Sequence, residues 1–284
     1  SLQDNNYIPN KHYEFKYLKW LMSAGSPVAP HQFDWIYNSI KKDMGFASIS
    51  GGSEVMGCFM LGSPMHPVRR GELTVKGLGM GVNIFDDKNI SVIGKPGDLV
   101  CTEPFPSMPI TFWGKNGDER YKDTYFKERL EVWTHGDLAE LTQYGSGIIY
   151  GRTDNTLNPG GVRIGTAEIY NICETFNEIE DCLVFAEKIN NDEEIILCVK
   201  LKNNNSLDLN FSKKLRKTIR DNASPRHVPN KIYEVQEIPY TMNGKKVEAA
   251  ARWVLEGKDV PNIHSLSNPE CLKEYSKLKE IEAL

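Results

Sequence analysis

The stretch "GRTDNTLNPGGVRIGTAEIYN", residues 151–171, packs four glycines, two arginines and a proline between two regions of different periodicity. Gly, Asn, Asp and Pro are ordinary loop formers, so a plain linker is one reading. Arg152 and Arg163 bracket the loop, and guanidinium forks suit phosphate or carboxylate oxygens. Gly160 and Gly161 let the backbone approach something bulky. What the stretch joins decides between a linker and a jointed functional segment.

Downstream, "TAEIYNICETFNEI" (166–179) sets Ile169, Ile172, Cys173 and Phe176 on one helical stripe, with Thr166 as the expected N-cap. Two strand-like runs, "DCLVFAE" (181–187) and "EIILCVKL" (194–201), flank the turn "KINNDE" (188–193). A helix through Phe211, Leu215 and Ile219 follows, then the strand "KIYEVQEI", the loop "PYTMNGKK" and a helix through Val247, Ala251, Val254 and Leu255. The order αββαβα within roughly 100 residues predicts one α+β unit.

Upstream, from Gly71 to Tyr150, the runs "GELTV", "NISVI", "GDLVCTE", "DLAEL" and "GIIYG" are separated by turns such as "GKPGD" and "TQYGSG". They predict a small antiparallel sheet or barrel. Earlier still, Phe33, Ile36, Tyr37 and Ile40 form a helical stripe over residues 30–43, and "FASIS" follows as a short buried strand. The expected fold is α/β and α+β. Residues 1–70 would belong to an α/β subdomain, 71–153 to a β-rich subdomain and 154–284 to an α+β domain.

Composition narrows the function classes. With 34 Lys and Arg against 38 Asp and Glu the formal charge is −4, which offers no footprint for nucleic acid or an anionic membrane. The six cysteines lie far apart without a CxxC pair, as expected of free thiols in a reducing compartment. No apolar run approaches the roughly 20 residues that span a bilayer, and "SLQDNNYIPN" lacks the regions of a signal peptide. These features predict a soluble, cytosolic protein.

Four further segments carry chemistry. "SAGSPV" (23–28) makes a tight turn after an apolar run, able to pass under a flat ring or to do nothing. In "SISGGSEVMG" (48–57), Ser53 and Glu54 suit a phosphate and a Mg²⁺ ion, or a simple strand-ending turn. In "WTHGDLAEL" (133–141), Asp137 suits both hydroxyls of a ribose, or the stabilisation of a turn. In "PYTMNGKKVEAAARWVL" (239–255), a lysine after the Asn-Gly turn can reach oxygens carrying developing charge, or remain solvated at a helix start.

Taken in order, these segments resemble the adenylate-forming superfamily of acyl-CoA synthetases, luciferases and peptide-synthetase adenylation domains. "SAGSPV" resembles its adenine-contacting turn, "GGSEVMG" its Thr/Ser-Glu motif and "GELTVKGLGMG" its Gly-Glu-Leu segment. "WTHGDL" is similar to its ribose-binding Gly-Asp, "GRTDNTLNPGGVRIGTAEIY" to its hinge motif and "PYTMNGKKVE" to its C-terminal lysine loop. Within the superfamily, "HGD", "GTAEIYN", "SPRHVP", "IPYTMNGKKVE" and "SNPECLKEY" together are most similar to the acetoacetyl-CoA synthetases.

The resemblance implies ligation of acetoacetate to coenzyme A in two half-reactions. A carboxylate attacks the α-phosphate of ATP to give acyl-AMP and pyrophosphate, and the thiol of CoA then displaces AMP. By motif, Gly25, Ser26 and Pro27 would line the adenine, Ser53 the phosphate and Glu54 the Mg²⁺. Asp137 and Arg152 would hold the ribose, and Lys245 would contact the acyl carboxylate and phosphate. Lys246 is disfavoured because the motif places the catalytic lysine directly after the glycine. Asp154 would be the hinge, Gly160 and Gly161 would line the pantetheine tunnel, and Arg163 would meet a phosphate in one of two states.

One departure matters. The family's Ser/Thr/Gly-rich loop ending in lysine, which wraps the β- and γ-phosphates, has no counterpart in these 284 residues. The chain is therefore expected to be a C-terminal portion that needs the missing half of the large domain in cis, and to be inactive alone. The alternatives are a non-catalytic interaction or regulatory module, and a ligase for another short-chain acid.

Overall fold

A computed structural model describes residues 2, 3, 5–189, 192–202, 205–281, 283 and 284. The chain divides into two units, Ser1–Tyr150 and Gly151–Leu284. Asn190 and Asn191 of the expected turn "KINNDE" lie outside the described residues.

The first unit begins with a parallel pair. Strand β1 (Trp20–Ser23) leads into helix α1 (Pro30–Ser39) and returns as β2 (Gly45–Ser48), in a register running from Trp20 opposite Gly45 to Ser23 opposite Ser48. Phe33 of α1 meets Phe46 of β2 edge to face, 4.8 Å between centroids. The helix is shorter than its stripe predicts, because Ile40 is already its C-cap. Ser50 to Gly52 forms β3, which turns into β4 (Gly57–Leu61), and β5 (Val75–Lys76) completes a three-stranded antiparallel sheet.

A second sheet runs in the order β6 (Val82–Phe85), β7 (Gly97–Cys101), β8 (Trp133–Leu141), β9 (Gly147–Arg152). A bridge from Leu73 to Gly147 links the two sheets. The expected strand "NISVI" is not one of these. Asp86 Oδ1 accepts the backbone N–H groups of Lys88 and Ile90, closing an Asx-type turn, and only Ser91 bridges back to Phe85. The run "VNIF" just before it makes the strand instead. Helix α2 (Gly117–Tyr125) was not expected from the sequence; Tyr121 and Tyr125, four residues apart, bury one face against Trp133.

The second unit starts with a turn at Thr153–Asn155 and helix α3 (Thr166–Cys173). Its N-cap is Gly165 rather than the expected Thr166; the Gly165 N–H is accepted by Glu168 Oε1 at 2.9 Å. Strands β10 (Ile179–Ile189) and β11 (Asp192–Leu201) pair antiparallel. Helix α4 (Leu209–Asn222) then leads to β12 (Lys231–Glu234), parallel to β11. Helices α5 (Glu248–Leu255) and α6 (Leu272–Tyr275) follow.

Period-2 alternation explains the layering. Cys182, Val184, Ile195, Leu197 and Val199 pack with Ile169, Cys173, Leu215 and Ile219. Leu183, Phe185, Ile196 and Cys198 pack on the opposite face with Ala251, Leu255, Tyr275 and Leu278. The sheet is thus covered by α3 and α4 on one side and by α5 and α6 on the other.

Candidate functional site

In a parallel pair the carboxyl ends of both strands open to the same edge, where α/β proteins hold ligands. Ser23 and Ser48 end β1 and β2 opposite each other, and Ile49 N–H donates to Ser23 O at 2.9 Å. "SAGSPV" and "SISGGSE" therefore leave from one edge. Gly25, at φ +100°, and the exposed Ser26 and Pro27 form the first loop.

The second segment folds as the β3–β4 hairpin. Gly51 is required, because a Cβ there would lie 2.1 Å from the backbone oxygen of Gly57; a Cβ on Gly52 would meet only the end of the Glu54 side chain, at 2.5 Å. Ser53 and Glu54 are placed in the turn, exposed, and Tyr125 OH donates to Glu54 Oε1 at 2.8 Å.

Asp137 lies in the middle of β8, not at its start. Gly97 pairs with Ala139 and Asp98 with Leu138, but Val100 pairs with Thr134, so β8 bulges between them, with Gly136 at φ +85°. The bulge leaves Asp137 9% exposed, and Ser50 Oγ donates to its Oδ2 at 3.4 Å. Ser50 and Asp137, remote in sequence, thereby bring the hairpin and the β8 bulge together. His135 Nε2 stands 3.8 Å from the same Asp137 oxygen.

No group of three or more His, Cys, Asp or Glu side chains able to hold a metal occurs among the described residues. The donor at Glu54 is one exposed carboxylate. That suits Mg²⁺ arriving on a triphosphate, since Mg²⁺ takes one or two carboxylates plus phosphate oxygens and water.

In the second unit, Arg152 Nε lies 3.5 Å from Asp154 Oδ1, both side chains at least half exposed. Beyond them, Leu157 and Ile164 exchange two backbone hydrogen bonds and close the loop between them. Gly160 and Gly161 have φ of +59° and +77°, which glycine adopts without strain. Three side chains fix this loop: Asp192 Oδ1 accepts Gly160 N–H, Glu193 Oε2 accepts Asn158 N–H, and Arg226 Nη1 donates to the carbonyls of Pro159 and Gly160. The Gly160 N–H is the chief cause that lowers the Asp192 pKa. Arg163 is half-buried where the chain returns to Ile164. His227 Nε2 meets Glu168 Oε2 at 3.1 Å, joining "SPRHVP" to "GTAEIYN".

The two lysines of "NGKK" have opposite surroundings. Gly244, at φ +72°, closes a tight loop in which Thr241 N–H donates to Lys245 O. Lys245 is exposed, and its ammonium has no partner among the described residues. Lys246 Nζ turns inward, 2.7 Å from Asp181 Oδ1, 2.7 Å from Cys182 O and 4.3 Å above the Tyr170 ring. Burial alone pushes the Lys246 pKa down, but Cys182, Asp181 and Tyr240 more than offset it, and the net shift is upward.

Glu248 sits beside this network. Tyr170 OH donates to its Oε1 at 2.9 Å and Asn155 Nδ2 to its Oε2 at 3.0 Å. Burial raises its pKa above the usual carboxylate value.

Sequence reasoning missed Tyr125, Trp133 and His135 in the first unit and Asp181, Tyr170 and Glu248 in the second. Tyr125 could have been found from the Tyr121–Tyr125–Phe126 stripe, and Trp133 and His135 from their two-residue spacing to each other and to Asp137; Asp181, Tyr170 and Glu248 have no local signal because Lys246, Glu248 and Asn155 reach them from distant sequence.

No protein-family model matches the chain. It is 42% identical over 283 residues to an acetoacetyl-coenzyme A synthetase of Rhizobium meliloti, covering 100% of this chain and 44% of that protein. It is 38% identical to the acetoacetyl-CoA synthetase of Gallus gallus, covering 99% and 42% respectively. Among solved structures, acetoacetyl-CoA synthetase from Streptomyces lividans superposes with a TM-score of 0.90 at 35% identity, over 98% of this chain and 43% of that one. The chain spans less than half the length of these relatives.

Proposed function

From a chain homologous along its whole length to acetoacetyl-CoA synthetases, and sharing their adenylate-forming fold over 43% of one of them, we propose a part in the ATP-dependent ligation of acetoacetate to CoA. The observation that carries this reading is the hydrogen bond from Ser50 to the buried Asp137. It ties the hairpin that carries Ser53 and Glu54 to the β8 bulge that carries Asp137, which supports assigning both segments to one nucleotide.

In this reading Gly25, Ser26 and Pro27 lie against the adenine, Asp137 accepts from the ribose hydroxyls and Arg152 donates to a ribose oxygen. Ser53 donates to a phosphate oxygen and Glu54 binds the Mg²⁺ that travels with ATP. A carboxylate oxygen of acetoacetate attacks the α-phosphorus, the bond to the β-phosphate oxygen breaks, and pyrophosphate leaves. Lys245 supplies a positive charge to the oxygens that gain charge in this step, an electrostatic role typically worth about 10²- to 10³-fold in rate. The sulfur of CoA then attacks the acyl carbon and AMP departs. Asp154 is the pivot between the steps, Gly160 and Gly161 leave room for pantetheine, and Arg163 meets a phosphate in one of the two states.

The test is acetoacetate-dependent pyrophosphate release by the longer protein that carries this sequence after the phosphate-binding loop of its relatives. Turnover with acetate or a longer acid, and none with acetoacetate, overturns the substrate assignment. The 284-residue chain alone is expected to release no pyrophosphate; release by it overturns the account of the missing loop.

A further inference from the structure

Glu54 lies in the β3–β4 turn and Asp137 in β8, yet both are tied to the same aromatic stack. Tyr125, whose OH donates to Glu54 Oε1, stacks on Trp133 with ring centroids 3.7 Å apart and planes at 15°. On the indole's other contact, Trp133 Nε1 lies 3.5 Å from His135 Nδ1, with the two planes at 21°. His135 is also held by Phe59, 4.6 Å between ring centroids. Trp133 is 1% exposed, Tyr125 7% and His135 6%.

An indole N–H can only donate, so His135 Nδ1 accepts, and the proton of the neutral ring sits on Nε2. That nitrogen faces Asp137 Oδ2 at 3.8 Å. Two neighbours restrict the buried Asp137 carboxylate at one oxygen: Ser50 Oγ donates to Oδ2 at 3.4 Å, and His135 Nε2 stands 3.8 Å from it. Glu54 is on an exposed turn, where an unrestrained glutamate would sample several rotamers; the Tyr125 hydroxyl selects one.

We propose that the Tyr125–Trp133–His135 stack is a positioning device, orienting the Mg²⁺ carboxylate Glu54 through Tyr125 and the ribose carboxylate Asp137 through His135. This rests on the assignments of Glu54 and Asp137 made above. The reading above assigns none of the three aromatic residues to the reacting atoms. A rigid indole at the centre fixes both acids at once, so the two ends can be perturbed separately.

Binding to the 284-residue chain tests this by calorimetric titration, using AMP, 2′,3′-dideoxy-AMP, and ATP with and without Mg²⁺. The ratio of AMP to dideoxy-AMP affinity reads the Asp137 end, and the gain in ATP affinity on adding Mg²⁺ reads the Glu54 end. Tyr125→Phe should cut the Mg²⁺ gain about tenfold and leave the AMP ratio unchanged, because a hydrogen bond to a charged group is worth about that much. His135→Leu, which fills the space, should collapse the AMP ratio towards one and spare the Mg²⁺ gain. His135→Gln, which restores an N–H towards Asp137, should recover most of the ratio.

Equal loss of every affinity in both variants, or equal behaviour of His135→Leu and His135→Gln, reduces the stack to core packing and overturns the proposal. A wild-type chain that does not distinguish AMP from dideoxy-AMP, or an Asp137→Asn chain that behaves as wild type, overturns instead the ribose assignment beneath it. Insensitivity of wild-type ATP binding to Mg²⁺ does the same for Glu54.

Discussion

Lys245 and Lys246 follow one another in the sequence, but the loop closed by Gly244 sends one ammonium to solvent and the other against Asp181, Cys182 O and Tyr170. Their substitution by alanine should therefore fail in different assays. Lys245→Ala should lower adenylation in the longer protein by about 10²- to 10³-fold, as loss of a charge-stabilising donor does, with its denaturation midpoint unchanged. Lys246→Ala removes one partner of a largely buried pair and leaves Asp181 without its counter-charge, with the Tyr240 hydroxyl and the Cys182 N–H still donating to it, which costs on the order of 3 kcal/mol. Its effect should appear in a denaturant titration of the chain alone. A stable, equally active Lys246→Ala together with a destabilised Lys245→Ala would reverse the two roles. The sequence motif singles out the same lysine by its place after the glycine; the physical reason for the difference, a carboxylate from β10, is not visible locally.

Between elements, Glu248 links the Thr153–Asn155 turn, α3 through Tyr170, and α5, on which it lies. Burial raises its folded pKa above 4.5, so the native state holds its proton more tightly than the unfolded chain does. The sign follows: the stability from this group is complete below its unfolded pKa and is lost as pH rises through its folded pKa. Glu178, Glu187 and Asp192 have lowered pKa values and act in the opposite sense, losing stability as pH falls below the ordinary carboxylate range. Relative to Glu248→Gln, which keeps the other three carboxylates, the denaturant midpoint of the wild type should thus fall as pH rises above about 4.5. A parallel decline in both proteins would exclude Glu248 as the cause. The β8 bulge is a second case: Gly136→Ala at φ +85° should cost about 1 kcal/mol and also weaken AMP discrimination, because Asp137 is aimed by that turn. Unaltered discrimination would show that the bulge does not set the carboxylate. Elements with clean periodicity, such as β10, β11 and α4, were legible in the sequence. "NISVI" misled because its alternation is overruled by the Asp86 side chain, and α2 escaped because charged residues between Tyr121 and Tyr125 mask its buried face.

At the scale of the whole molecule, the Gly151–Leu284 unit contains what an independent domain needs. Its sheet is covered on both faces by its own helices. Its last residue pairs with β12 through Ile232 N–H to Leu284 O and Leu284 N–H to Ile232 O, and Arg216 of α4 donates to that same terminal carbonyl. The first unit is less covered: among the described residues β1 pairs only with β2, and Trp20 and Met22 on it are 37% and 63% exposed. An edge strand with apolar side chains favours association with other chains. Residues 151–284 produced alone should therefore melt in one cooperative transition and sediment as a single species. Residues 1–150 should self-associate at micromolar concentration, and Met22→Lys should reduce that association by placing a charge on the edge strand. A non-cooperative melt of 151–284 would mean that its two cores are insufficient without the first unit. The same measurement bears on function: a pivot at Asp154 requires that what turns about it keeps its structure while turning, and only an autonomously folded unit does so.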